Sequence, residues 1–254
     1  FPLGPNPPWL GYEPVYTINY DSLNERSDYA VPKPAGVYRI VTLGDSWTYG
    51  IFVSTPDNYS EILEDLLNAT LHCRNISKFE IVNLGVYGYD IQYQVERFKL
   101  RGIKYDPDLV VWLLHYGNFY KIQDLVAARA TAYGVDRIES ADMARRDILR
   151  ETGEEKILRH QEAAMGSFSG YYTKALVVYS PMRSLWGEPK KVVKNFVRRR
   201  QNARLFEGIA DLKNISGALL QDSHPGSKGH SIIANELYKY LTENKIINCE
   251  KRVL

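Results

Sequence analysis

The residue types that chemistry needs fall at four places in the 254-residue chain. Ser46 follows Gly44-Asp45 in VTLGDSWTYG (41–50), and Asn83, Gly85 and Gly88 lie in NLGVYG (83–88). Asn118 ends HYGN (115–118), and Asp222 and His224 lie in QDSHPGSKGH (221–230). A hydroxyl, glycine amides, a carboxamide and an Asp/His pair are the parts of an acyl-transfer site: a nucleophile, a base to take its proton, an orienter for the base, and donors for the oxyanion. Taken singly, each has an ordinary structural reading. Ser46 suits a turn or a helix cap, Asp222 a helix N-terminus, and Gly85 or Gly88 a simple turn. What sets them apart is shared placement, because each group follows a short apolar run.

Those runs read as strands. GVYRIVTLG (36–44) is a short β-rich apolar run, as expected of a strand buried on both faces. FEIVNLG (79–85) reads as a second strand, PDLVVWLLHYG (107–117) as the third and most apolar, YTKALVVYSP (172–181) as a fourth and GALLQ (217–221) as a candidate short fifth. Between them, STPDNYSEILEDLLNA (54–69) predicts a helix capped by Thr55, with Pro56 in its first position and Ile62, Leu63, Leu66 and Leu67 on one stripe. DIQYQVERFKLRG (90–102) predicts a second helix. Alternating strands and helices predict an α/β fold: a three-layer α/β/α sandwich on a five-stranded, mostly parallel sheet. In such sheets ligands bind beyond the carboxyl ends of the strands, where the four polar groups fall.

Residues 1–36, rich in Pro, Gly and Asn, predict an extended N-terminal arm, and 37–246 a single domain followed by a tail over 247–254. Residues 119–165 are charge-rich and helical in propensity, longer than a crossover needs, and read as a helical insertion. Over 190–210, Val193, Phe196, Val197, Ala203 and Phe206 fall on one side of a predicted helix. Lys190, Lys191, Lys194, Arg198, Arg199, Arg200 and Arg204 are left mostly on the other. That basic face is a solvated surface or, on the sharper reading, a site for a polyanion or anionic lipid.

Composition narrows the classes. A net charge of +2 gives no footprint for nucleic acid. No apolar run approaches the ~20 residues that span a bilayer, so membrane association would need an upstream anchor or the basic helix near 190–204. Two cysteines, Cys73 and Cys249, are too few for a disulfide scaffold and lack zinc-site spacing, though one bridge stays open. Sequons at Asn58, Asn68, Asn75 and Asn214 weakly favour an exported, extracytoplasmic protein over a cytoplasmic one.

GDSWTYG, NLGVYG, the Gly117-Asn118 pair and DSHPGSKGH occur in the order of the conserved blocks of the SGNH (GDSL-type) hydrolases, which the chain resembles over about residues 36–244. The resemblance implies a flavodoxin-like SGNH hydrolase fold and an esterase with neither metal nor organic cofactor. It implies Ser46 as nucleophile, His224 as general base and Asp222 as its orienter, with an oxyanion hole from the backbone N–H groups of Ser46 and Gly88 and the side-chain amide of Asn118. Two departures stand out. Many members carry Asp three residues before the histidine, where Gln221 stands here, so Asp222 is one residue closer than usual. Phe119 follows Asn118 where Asp is common, which removes a brace from that loop. The G-x-S-x-G elbow of the α/β-hydrolases is absent.

Trp47 and Tyr87 are candidate substrate contacts, and Trp47 with Tyr49 suits an acyl pocket or the core equally. Asp45 is expected to make structural hydrogen bonds, Trp112 and His115 to line the core or the cleft, and His230 to pack in the first turn of the last helix. The function expected is hydrolysis of carboxylic esters on a small-molecule or polymer-linked substrate, with a short acyl group such as acetyl on a sugar preferred. An acyltransferase with the same residues, and a non-catalytic glycan- or polyanion-binding module, are the alternatives.

Overall fold

Five short strands form one sheet in the computed structural model, which describes residues 6–133, 137–180 and 187–249. The strands are β1 (Val37–Leu43), β2 (Lys78–Asn83), β3 (Leu109–His115), β4 (Ala175–Ser180) and β5 (Ala203–Phe206). Their order is β2-β1-β3-β4-β5 and every pairing is parallel, so the mostly parallel sheet of the sequence reading is wholly parallel. The helices are α1 (Ser46–Tyr49), α2 (Tyr59–Thr70), α3 (Ile91–Arg97), α4 (Gln123–Tyr133), α5 (Arg137–Thr152), α6 (Glu154–Phe168), α7 (Gly187–Arg198) and α8 (Ser227–Glu243).

The two-residue period of a strand divides the core between two faces. In β3, Val110, Trp112 and Leu114 join one cluster with Val95 of α3, Phe168 of α6 and Phe196 of α7. Leu109, Val111 and Leu113 join the other with Leu63 of α2 and Leu237 of α8. Burying both faces is why β3 carries no polar residue until His115 at its carboxyl end. Trp112 keeps its one polar atom satisfied inside that core, donating from Nε1 to Oε1 of Gln94 at 2.7 Å.

Several expectations need correction. The fifth strand is β5, not residues 217–221, and it lies inside the stretch read as a continuous helix over 190–210. Ala203 and Phe206 share a spacing that fits a helix as well as a strand. The free edge of β4 decides the matter by supplying backbone partners from Ala175 to Val178. Residues 217–221 instead form a tight loop in which Leu219 bridges Pro225 in antiparallel fashion. Thr55 does not cap α2: it begins a separate 3-10 turn over Thr55–Asp57, and Asn58 is the cap, accepting from Ser60 N at 2.9 Å and Glu61 N at 3.1 Å. Asn68 is also engaged in the fold, donating to the carbonyl of Phe79, and the side chains of Asn75 and Asn214 donate to Asn248 O and Asp211 Oδ2, so all four sequon asparagines make internal hydrogen bonds.

The segment 119–165 is two things. The helix α6 packs against α3 and α7 and serves as the crossover from β3 to β4. The helices α4 and α5 precede that crossover helix and share a small separate core of Val126, Ala144 and Ile148 with Ile122 and Ile157. Along the arm, Asn24 and Glu25 are buried: Asn24 donates to the carbonyl of Tyr49 at 2.8 Å, and Glu25 accepts from the backbone N–H of Asn83. Residues 1–5 of the arm and 250–254 of the tail lie outside the described residues, as does Pro181 at the end of the fourth predicted strand. Cys73 and Cys249 are joined in a disulfide, with their Cα atoms 5.0 Å apart. No helix among the described residues is long and apolar enough to cross a membrane.

Candidate active site

Ser46 is the first residue of α1, directly beyond the carboxyl end of β1. Asp45, two residues past the end of β1, caps the helix, its carboxylate accepting from Trp47 N at 3.1 Å. This sharp strand-to-helix junction leaves the Ser46 hydroxyl at the sheet rim. The Nε2 of His224 lies 2.8 Å from Ser46 Oγ, and His224 Nδ1 lies 2.7 Å from Asp222 Oδ2. A carboxylate only accepts, so Nδ1 carries the hydrogen and Nε2 is left as an acceptor for the serine hydroxyl. Ser46, His224 and Asp222 are therefore joined in one chain of hydrogen bonds.

The short Asp-x-His spacing works because Ser223 turns the backbone back on itself, with φ at +73°. Both oxygens of Asp222 then reach the same residue: Oδ2 the ring and Oδ1 the backbone N–H of His224 at 3.1 Å. The loop is closed by Leu220 N donating to His224 O at 2.7 Å and Ser223 N to Leu220 O at 3.0 Å. The Asp222 side chain stays 29% exposed and that of His224 19%.

Behind Ser46 lies a second polar cluster. Asp45, 1% exposed, accepts on Oδ2 from His115 Nε2 at 2.9 Å, Asn118 Nδ2 at 3.0 Å and Lys121 Nζ at 2.7 Å. Burial would raise the Asp45 carboxyl, but the contacts of His115 and Lys121 outweigh it and hold the group well below the usual carboxylate range. The sequence reading of Asp45 as a structural residue fits this arrangement. His115 Nδ1 accepts from Gly117 N at 3.0 Å, which directs the Nε2 hydrogen at Asp45. Asn118 is fully buried: its Oδ1 accepts from His115 N at 2.8 Å, and its Nδ2 also reaches the carbonyl of Tyr89 at 3.4 Å. The brace that Phe119 cannot give the loop comes instead from His115 and Lys121, while Phe119 is buried in the core. Sequence reasoning placed His115 only as core or cleft wall and missed Lys121. A lysine three residues after Asn118 carries no signal until the 3-10 turn over Tyr116–Phe119 brings it back to Asp45.

The two glycines of NLGVYG have different reasons to be glycine. A Cβ on Gly85 would come within 2.2 Å of Tyr49 N, so this residue lets the loop after β2 lie against α1. Gly88 has open space around it but a φ of +80°, a conformation that L side chains resist. Asn83 ties the two loops together, donating to Thr48 O at 2.8 Å and accepting from Gly85 N at 2.9 Å.

Trp47 is 3% exposed and packs beside the His115 ring with centroids 5.2 Å apart, whereas Tyr87 is 56% exposed. His230 is buried in the first turn of α8, its Nδ1 accepting from Tyr59 N at 3.1 Å. Burial, with His224 nearby, pushes its pKa down to about 3, which keeps it neutral and in a packing role. On the basic helix, Lys190 and Lys194 pair with Glu207, and Arg199 just past its end pairs with Glu162. Among the described residues no cluster of His, Cys, Asp or Glu has the form of a metal site.

No protein-family model and no curated protein matches the sequence. Solved structures do match. The psychrotrophic esterase EstA from Pseudoalteromonas sp. superposes with a TM-score of 0.55 at 16% identity, over 83% of this chain and 98% of that one. TesA gives 0.54 at 15% identity over 81% and 98%. A catalytic mutant of Axe2, an acetylxylan esterase from Geobacillus stearothermophilus, gives 0.53 at 16% identity over 81% and 94%. The chain has the fold of these SGNH (GDSL-type) esterases.

Proposed function

We propose that this chain, built on an esterase fold, is a serine hydrolase that cleaves carboxylic esters through an acyl-Ser46 intermediate. The observation that carries this reading is the unbroken Asp222–His224–Ser46 chain at 2.7 and 2.8 Å. In the proposed reaction Ser46 Oγ attacks the ester carbonyl carbon while His224 Nε2 takes the hydroxyl proton. Asp222 holds the imidazole in the required tautomer and stabilises the imidazolium. The oxyanion would meet the Ser46 N–H, which has no acceptor within its own helix, and the Gly88 N–H; the Nδ2 of Asn118 would join them by giving up its long 3.4 Å contact with the Tyr89 carbonyl while keeping Asp45. The tetrahedral intermediate then expels the alcohol oxygen, which leaves with the proton from His224. Water, deprotonated by His224, releases the acid and restores Ser46.

A short acyl group such as acetyl, carried on a sugar or polymer, is the preferred substrate. The acetylxylan activity in the name of one structural neighbour supports it, as does the aromatic rim of Tyr87, Tyr89 and Tyr93. Transfer of the acyl group to an alcohol would use the same residues. The Cys73–Cys249 bridge supports an oxidising, extracytoplasmic location.

A fluorophosphonate probe tests the reading. Stoichiometric labelling of the wild type and none of Ser46→Ala is expected, and failure of the folded wild type to label overturns it. A panel of p-nitrophenyl esters of increasing acyl length, run beside acetylated sugars, checks the preference for acetyl.

A further inference from the structure

Phe52 stands against the imidazole that the proposed reaction uses, and its conformation is imposed from a distant part of the chain. Its ring meets His224 nearly at right angles, with centroids 5.8 Å apart. Its φ is +65°, a left-handed conformation that a bulky L residue rarely takes. Three residues of the N-terminal arm hold it there. The Phe52 N–H donates to the Tyr16 hydroxyl at 2.8 Å, and the Tyr12 hydroxyl donates to the Phe52 carbonyl at 2.5 Å. The Trp9 ring packs on the Phe52 ring at 5.4 Å, nearly perpendicular. Both backbone polar groups and the side chain of one loop residue are thus fixed by a segment some forty residues upstream.

A glycine would adopt this φ without cost, so the turn itself does not call for an aromatic ring. The ring is half-buried rather than sealed in the core, and it borders the side chain that must hand a proton to the departing alcohol. That alcohol oxygen has to approach His224 Nε2, so the rest of the alcohol lies close to whatever flanks the imidazole. We propose that Phe52, fixed by Trp9, Tyr12 and Tyr16, is the wall of the alcohol subsite and selects esters whose alcohol part is a ring, such as a sugar or a phenol. A flat apolar face suits the C–H face of a pyranose or another aromatic ring. This assignment rests on the acyl-Ser46 reading.

The experiment compares two acetyl esters that form the same acetyl-enzyme and differ only in the alcohol: phenyl acetate and methyl acetate. The ratio of their kcat/KM values in Phe52→Gly, divided by the wild-type ratio, cancels their intrinsic reactivities. Loss of the wall should lower that double ratio by about tenfold. Phe52→Asn, which also tolerates a left-handed backbone but lacks the ring, should give the same direction. Trp9→Ala, which loosens the ring without removing it, should give a smaller shift of the same sign. A double ratio within about twofold of unity in both folded Phe52 variants overturns the subsite, whether both esters slow equally or neither does. The two levels fail separately. If the wild type takes up a fluorophosphonate and the ratio stays fixed, only the subsite is wrong; if the wild type does not label, the serine chemistry and the subsite fall together.

Discussion

Two aspartates flank the Ser46–His224 pair, and their surroundings are opposite. Asp45 is sealed behind the serine, its Oδ2 surrounded by a histidine, an amide and an ammonium. Asp222 lies on the rim, 29% exposed, and both of its oxygens address a single residue, His224. A buried carboxylate with that many donors is fixed: moving it or protonating it would strand several polar groups at once. A carboxylate that faces solvent and one imidazole can follow the charge that develops there. The same side chain is thus sealed as a rivet in one place and left on the rim beside one imidazole, as the proposed orienter, in the other.

Mutations should separate the two roles, beginning with the largest effect. His224→Ala should reduce kcat by about 10⁴-fold or more while leaving the unfolding midpoint in urea nearly unchanged, since the residue sits at the rim. Asp222→Ala should cost about 10³-fold in kcat, again with little change in stability. If Asp222→Ala turned over like the wild type, the rim aspartate would not be the orienter. Asp45→Ala should differ in kind, lowering stability by about 3–5 kcal/mol in equilibrium unfolding because His115, Asn118 and Lys121 lose their shared acceptor. An Asp45→Ala protein as stable as the wild type would remove the distinction between the two sites.

Acid sharpens the contrast. The Asp45 carboxyl titrates below its unfolded value near 3.8, so its stabilisation is complete above that pH and is lost as the pH falls below it. The acid limb of stability should therefore be shallower in Asp45→Ala than in the wild type, as measured by urea unfolding from about pH 5 down to about pH 2. The smallest effect belongs to Ser223→Gly. Glycine accepts the +73° φ that serine resists, so stability should stay within about 1 kcal/mol and the Asp222–His224 contact should survive, seen as retained kcat.

What the sequence made legible follows from how local each signal is. Four of the five strands, both faces of β3 and the placement of Ser46 and Asn118 beyond β1 and β3 could be read because apolar runs end abruptly at polar groups, whereas the strand expected to carry Asp222 and His224 is a loop. The fifth strand could not, since four residues carry too little periodicity and the edge of β4 supplies the deciding hydrogen bonds. Asp222 looked one residue too close to its histidine, and only the left-handed turn at Ser223 shows how the short spacing closes. Lys121 and the double use of His115 depend on a loop brought back against Asp45, contacts across 70 and 76 residues that no spacing encodes. Phe52 was invisible for a similar reason, since its three holders lie in an arm whose composition signals only an extended path.

The disulfide between Cys73 and Cys249 has a topological consequence. It closes a covalent ring that holds Gly88, Asn118, Asp222 and His224, while Ser46 lies on the stretch of chain entering that ring. One backbone cut anywhere in the ring, the helices α4 and α5 included, opens it without dividing the molecule. A protease-nicked chain would therefore run as one species on a non-reducing gel and as two after reduction, with Ser46 and His224 still tethered until the thiols are freed.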